Sequence, residues 1–461
     1  MKTRLLCILF LLLPPGLVRA DLNLRGRYDF TRKARTATYV VAASNAPAHV
    51  KAQADYVCDG TADEKEIQAA VDAISSEGGE IYLHGVFFLD DNILVEDKPI
   101  VFRGAGVNWY WSGYPGDNYV GTMIVPSESN TGSGASSLFV YHSTNPGTSG
   151  MYFGGLYEIG FCGQPSYQSY VGVGSIAVDI SSEGDFCIYH CGFFYLPYEY
   201  PIKLNCHGAW IQNCDIEDCA SATGALYLSD YRNWVVNCYF RGNKQDIYAV
   251  ASEHFIINCR FSDTRRTQLY LQTPVEMIIS NCFFNTWNQD NGAYGAIEFQ
   301  AGGARRVIIS NCYFSFTNTN GKPAIWDNGQ AVSNISIANN IFYNRASGQR
   351  AITLTGAVAP TSVRGNVNDD ETVTGTVTLQ QFSTSYLDSS GGAVTATLPD
   401  GLMPGDIKVI RMSDATNSST VTVTHHKTSD PEVGTFDATT DYWILAWSGD
   451  EWVTIDATCS F

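Results

Sequence analysis

The sequence predicts an all-β chain: a parallel β-helix with an N-terminal capping helix, followed by a small C-terminal β-sandwich-like domain. Three observations point there. Between residues 210 and 344 one phrase keeps returning, a short apolar run, then Asn-Cys, then an aromatic or aliphatic residue. It reads Trp210-Ile211-Gln212-Asn213-Cys214, then Val235-Val236-Asn237-Cys238-Tyr239-Phe240, then Ile256-Ile257-Asn258-Cys259-Arg260-Phe261. It continues around Asn281-Cys282 and Asn311-Cys312, and ends with Asn339-Asn340 in place of Asn-Cys. The steps from Cys214 to Cys238, Cys259, Cys282, Cys312 and Asn340 are 24, 21, 23, 30 and 28 residues. Repeats of this length build solenoids, in which each repeat buries its apolar face against its neighbours. The second observation is alternation of apolar and polar residues, the mark of strands. The third is that the period stops after Asn368 and gives way to short alternating strands between turn signals.

Lys2 and Arg4, the apolar stretch 5–13 and Val18-Arg19-Ala20 read as a secretory signal over residues 1–20, which places the protein outside the cell or at its surface. Its removal takes away three positive charges and no acid, moving the formal charge from −18 to −21. Such acidity argues against nucleic acid and against a bare anionic membrane, and disfavours a polyanionic glycan unless a cation bridges the two. Residues 21–54 form a leader with one strand near Tyr39-Val40-Val41. A helix over 61–77 follows, with Ile67, Ala70, Val71 and Ile74 on one face, Thr61 or Asp63 as N-cap and Gly78-Gly79 as its end. A helix here covers the open end of a solenoid, which otherwise exposes apolar core and strand edges. The β-helix spans 55–370, and residues 107–136, rich in Gly, Tyr, Trp and Asn, read as a long excursion from an early coil. The acidic break at Asp369-Asp370-Glu371 leads into the C-terminal β domain, 371–461.

The stretch Asp59-Gly60-Thr61-Ala62-Asp63, with Ile67-Gln68-Ala69-Ala70-Val71-Asp72 and Gly78-Gly79-Glu80-Ile81-Tyr82-Leu83, resembles the start of the pectate-lyase-like superfamily of right-handed parallel β-helices. That group includes pectate lyases, rhamnogalacturonases, epimerases and virus tailspikes. The resemblance implies the fold over about residues 55–370 and carbohydrate as the ligand class. It brings no catalytic residues with it. The paired-Asp, His-Gly and Arg-Ile-Lys set of polygalacturonases and the Trp-x-Asp-His of pectate lyases are missing from this chain.

The thiols of the Asn-Cys positions are expected to stack as buried, unbridged side chains, because they recur by coil position. A disulfide between coils is the alternative. In each coil a second strand precedes the Asn-Cys strand, and its middle residue should face outward. That places Asp179, Lys203, Tyr227, Tyr248, Tyr270, Glu298, Trp326 and Thr353 in one surface row. Two residues on lies a row containing Asn205, Gln272, Gln300 and Asn328. Aromatic ring faces beside amides suit a sugar chain, so Tyr227, Tyr248, Tyr270, Trp326, Gln272, Gln300 and Lys203 are the candidate substrate-binding residues. Packing between neighbouring strands is the competing explanation.

Two chemistries stay open. A hydrolase needs two carboxylates, and Glu298 with Asp290 or Asp246 is the best pair. A lyase needs a base and a cationic group, and Glu298 with Arg265 or Arg266 answers to that, with Ca2+ held by acidic side chains. The alternatives to an enzyme are a non-catalytic glycan-binding adhesin and a structural surface element that packs as a homotrimer. The expected partner is an extracellular polysaccharide.

Overall fold

The structure is a computed structural model. It describes residues 38–461 apart from 108–120, 127–136, 143–153, 164–175 and shorter segments of up to seven residues. The proposed signal and the aromatic cluster Trp109, Tyr110, Trp111, Tyr114 and Tyr119 lie outside the described residues.

The chain coils through three parallel sheets, here called A, B and C in the order that the Asn-Cys turn joins the first two. One coil runs from Leu226–Leu228 in sheet C to Trp234–Val236 in sheet A, turns at Asn237-Cys238, and continues as Tyr239–Arg241 in sheet B. It then enters sheet C again one level on, at Ile247–Ala249. Among the described residues sheet C has 10 strands, and the long strand Gly79–Leu89 bends from sheet A into sheet B and links the described strands of those two into one 23-stranded network. Apolar side chains from all three sheets meet in a single continuous core.

The recurring turn has a simple cause. Asn213, Asn237, Asn258, Asn281, Asn311 and Asn339 all sit at φ between 55° and 58°. Among residues with a side chain, Asn tolerates this left-handed conformation best, so the repeat keeps Asn where the chain must turn between sheets. The next residue points inward. Cys238 Sγ lies 3.4 Å from the carbonyl of Val236 in its own coil and 3.4 Å from that of Ile211 in the coil before. Cys214, Cys259 and Cys282 repeat the arrangement. Burial pushes the thiols of Cys191, Cys238 and Cys282 well up, so they stay protonated donors. The described cysteines are free, and those of the Asn-Cys positions stack coil upon coil, as expected from their recurrence. Where the ladder changes to Asn340, its amide donates to Ile309 O at 3.1 Å and accepts from Cys312 N at 2.9 Å, which is the same bridging done by a stronger donor.

The capping helix is shorter than the sequence indicated, Glu64–Ala73. Asp63 stands at the expected N-cap position, but its side chain makes no capping hydrogen bond. Asp63 instead accepts from Gly60 N at 3.0 Å and from Phe88 N at 2.8 Å on the first coil. Glu64 accepts from Asp90 N at 3.0 Å, and Gln68 both accepts from Leu94 N and donates to Leu94 O. The polar residues of the motif therefore satisfy strand-edge groups that the end of the solenoid leaves without a neighbour. The strand Thr38–Ala42 pairs with Gly79–Leu89, so sheet A begins inside the stretch read as a leader.

The C-terminal unit packs a five-stranded sheet on a four-stranded one around Trp443, Trp452 and Phe436. Its early strands alternate between the sheets and pair in parallel. Glu371–Val373, Ser383–Asp388 and Ile407–Asp414 form one set, and Thr376–Thr378, Thr395–Leu398 and Ser419–Val423 the other. The chain thus keeps coiling in a two-sheet form before the antiparallel strands close it.

Candidate functional site on the sheet C face

Sheet C aligns the surface row without a break. Asp179 pairs with Lys203, Lys203 with Tyr227, Tyr227 with Tyr248, Tyr248 with Tyr270, Tyr270 with Glu298, Glu298 with Trp326 and Trp326 with Thr353. Tyr227, Tyr248, Tyr270 and Trp326 are half-buried on this shared outer face. Lys203 ends the row with its ammonium 3.5 Å from Asp179.

The rings are not presented as the sequence suggested. Tyr227 and Tyr248 stack at 5.5 Å and 14°, and Tyr248 and Tyr270 at 4.8 Å and 12°. Strand spacing forces this, since identical rings one strand apart meet face to face. Their faces are spent on one another, and the row shows edges and phenol groups instead. Beside it the amides are cross-linked. Tyr248 OH donates to Gln272 Oε1 at 2.7 Å, Gln300 Nε2 donates to Glu298 Oε2 at 2.7 Å, and Asn328 Nδ2 donates to Gln300 Oε1 at 3.3 Å.

Glu298 is only 2 % exposed. Its Oε1 accepts from Thr267 Oγ1 at 2.8 Å and from Gly295 N at 2.6 Å. A side chain at Gly295 would fit tightly, because a Cβ there would stand 3.3 Å from Trp326 Cβ and 3.2 Å from Pro323 O. Burial raises the Glu298 carboxyl, while Thr267, Gly295 and Gln300 pull it back. The group is a fixed acceptor holding the amide row, with three donors already on its two oxygens.

The partners expected for catalysis do not gather around it. Asp290 stands on the exposed loop with its carboxylate 3.6 Å from Arg266 Nε. Arg266 also lies over the Tyr294 ring at 5.6 Å, and the loop backbone bonds to Arg265 and Arg266 through Asp290 N and Asn288 N. Trp287, fully buried with its edge against Phe316, anchors that loop in the core. These contacts give Arg266 and Asp290 the work of fastening the loop, and leave Arg265 exposed. Among the described residues, the acidic side chains of this face form no three-ligand cluster of the kind Ca2+ needs.

Asp246 must be moved off the site altogether. It is fully buried at the corner between sheets B and C, bonded to Asn243 Nδ2 at 2.9 Å and Thr264 Oγ1 at 2.6 Å. It precedes the strand and points inward, so it cannot share the outer face with Glu298. Burial lifts its pKa to about 7, so it prefers the neutral form in the folded chain. A raised acid contributes stability below its unfolded pKa of 3.8 and loses it as pH rises through about 7. Wild type should therefore melt at progressively lower temperature from pH 5 to pH 8, with a loss of about 3 kcal/mol from this group. Asp246→Asn should flatten that slope, and equal slopes in wild type and variant would refute the assignment.

Sequence reasoning missed Thr267 and Gly295, which act through the fold and carry no local motif. It also missed a second outward ladder, on sheet A. Trp210 and Trp234 stack at 4.6 Å and 8°, and Trp234 and Phe255 at 5.3 Å and 6°. The signal was present: each stands one residue before the inward residue of an Asn-Cys strand. On sheet B, Asp215 and Glu217 both face outward, and burial followed by Glu217 raises Asp215 to about 7.

Residues 200–315 match the family model described as right handed beta helix region. The chain is a right-handed parallel β-helix protein. This is the architecture that the capping motif implied by its likeness to pectate-lyase-like proteins. No curated protein matches the chain. Among solved structures, DFA-IIIase from Arthrobacter chlorophenolicus A6 is 14% identical, with a TM-score of 0.38 and coverage of 82% of this chain and 86% of that one. The Dettilon tailspike protein is 14% identical, with a TM-score of 0.47 over 84% and 76%. The catalytic domain of a GH87 alpha-1,3-glucanase is 12% identical, with a TM-score of 0.46 over 73% and 62%. No helix of the described residues is long and apolar enough to cross a membrane.

Proposed function

We propose that this β-helix is a secreted glycan-binding protein that holds an extracellular polysaccharide along sheet C. The observation that carries the reading is the cross-linked polar row, Tyr248–Gln272 and Glu298–Gln300–Asn328, running beside the tyrosine stack and ending at Trp326. Pre-bonded amides and phenols at strand spacing offer repeated donors and acceptors to a repeating hydroxyl-rich chain, at low ordering cost. The indole of Trp326 supplies the aromatic surface that the stacked tyrosines do not. The net charge, −18 for the full chain and −21 once residues 1–20 are removed, favours a neutral glycan.

Binding is favoured over cleavage because Glu298 is enclosed and fully bonded, and Asp290 and Asp246 are engaged elsewhere. A polysaccharide panel read both for binding and for released products tests this. Wild type should bind and release nothing, and Trp326→Ala should weaken binding about tenfold, or roughly 1.4 kcal/mol. Tyr248→Phe, which frees Gln272 from its donor, should weaken it by about 0.5–1.5 kcal/mol. Unchanged affinity in both variants would remove the binding face from sheet C. Products that disappear in Glu298→Gln would instead establish a lyase or hydrolase, and a stable trimer burying Tyr248 and Tyr270 would favour the structural reading.

A further inference from the structure

Away from sheet C, the capping region brings together three side chains that bind metals. Cys58 follows the strand Tyr56–Val57, and Asp63 and Glu66 stand one turn apart at the start of the helix Glu64–Ala73. The Cys58 sulfur and one carboxylate oxygen each of Asp63 and Glu66 lie within 4.8 Å of one another. Cys58 is 3 % exposed, and its thiol has only a long contact, 3.9 Å, to Asp63 O. Asp63 is fully buried.

A second observation singles out this cluster. Glu66 Oε2 is sealed from solvent and accepts no hydrogen bond. A buried carboxylate oxygen without a donor is costly unless something positive meets it. The local charge deepens the problem. Burial, then Asp63, Glu66, Asp59 and Glu64, push the Cys58 thiol far up. The polar contacts that fasten the cap explain Asp63 and Glu64, and Asp59 is held by Thr61, but Glu66 Oε2 and Cys58 are left without work.

We propose that Cys58, Asp63 and Glu66 form a binding site for a divalent metal of the zinc class, which pins the capping helix to the first coils. The donor set selects the metal. A thiolate with two carboxylates suits zinc or cobalt, and a sulfur ligand disfavours calcium and magnesium. Metal–ligand bonds of about 2.0–2.3 Å place neighbouring ligand atoms somewhat closer than the observed limit, a closure that side-chain rotation can supply. Asp63 can keep its bonds to Gly60 and Phe88, since each carboxylate oxygen has a further lone pair. On binding, the Cys58 S–H bond breaks, its proton leaves to solvent and a metal–sulfur bond forms. The three anionic ligands then surround a dication, and water fills the fourth position.

The test uses the full chain, stripped with a chelator and titrated with Co2+ as a spectroscopic probe and then with Zn2+. One equivalent of cobalt should produce a thiolate-to-cobalt charge-transfer band, which zinc should abolish by displacement. Cys58→Ser, checked to have the melting temperature of the stripped wild type, should lose the band. Glu66→Gln should weaken cobalt binding at least tenfold. Zinc should raise the melting temperature of wild type and not of Cys58→Ser. Absence of the band in folded wild type would overturn the proposal. So would its persistence in Cys58→Ser, which would assign the thiolate to another cysteine.

Discussion

Glu371→Ala should destabilise the protein by about 3–5 kcal/mol, the cost of leaving a buried charge without its partner. Glu371 opens the first strand of the C-terminal unit and is 1 % exposed, and Lys408, fully buried, stands two strands away across Ser383–Asp388. The Lys408 ammonium lies 3.5 Å from Glu371 Oε1, with the Ser385 hydroxyl bonded to both. On its other side Glu371 meets Arg350 Nε at 3.2 Å, and Arg350 also donates to Thr378 O at 2.8 Å. Arg350 stands just before the last sheet C strand, Ile352–Thr353, so this carboxylate joins the final coil to the domain beyond. Denaturant unfolding measures the loss. Glu371→Leu combined with Lys408→Met should recover most of it, because replacing both partners by apolar groups removes the stranded charge. A single-variant cost near the roughly 0–1 kcal/mol of a surface ion pair would contradict the assignment.

Phe284→Ala should cost a similar amount, about 3–5 kcal/mol from the cavity, with roughly 0.5–1.5 kcal/mol more for each ring pair that it breaks. Sheet B places Phe240, Phe261, Phe284, Phe314 and Phe342 directly above one another. Phe284 stacks on Phe261 at 4.9 Å and on Phe314 at 4.7 Å, so its removal breaks the column in the middle. Coils in a solenoid are stabilised by their neighbours, so the damage reaches both sides. Phe342 has a stacked ring on one side and should cost less. Equal losses for the two variants in chemical unfolding would show that the column does not act by stacking.

Much of this molecule can be read from its repeats. The Asn-Cys phrase works as a ruler: a left-handed Asn and an inward Cys mark one corner of each coil, and counting back from them locates the strands of sheet C with Glu298 in register. The direction of a side chain along a strand follows from period two, which is why the surface row was legible. What the rings offer to a ligand was not, because it depends on the next strand: Tyr248 is a free face only until Tyr227 and Tyr270 lie on either side of it. The enclosure of Glu298 comes from Thr267, on the coil before, and from the backbone of Gly295 at the entry to its own strand. Asp246 looks like any loop acid in sequence and is a buried corner, and Glu371 looks like a linker charge and is a joint. In both, adjacent coils or strands supply donors, and burial sets the role.

A structure of the protein with the best-binding oligosaccharide from the panel decides whether sheet C is the glycan-binding face. The predicted result is sugar lying along sheet C, with hydroxyls on Gln272, Gln300 and Asn328, one ring against the Trp326 indole, and its glycosidic bonds intact. Sugar seated on the Trp210–Trp234–Phe255 ladder of sheet A, or beside Asp215 and Glu217 on sheet B, would contradict it.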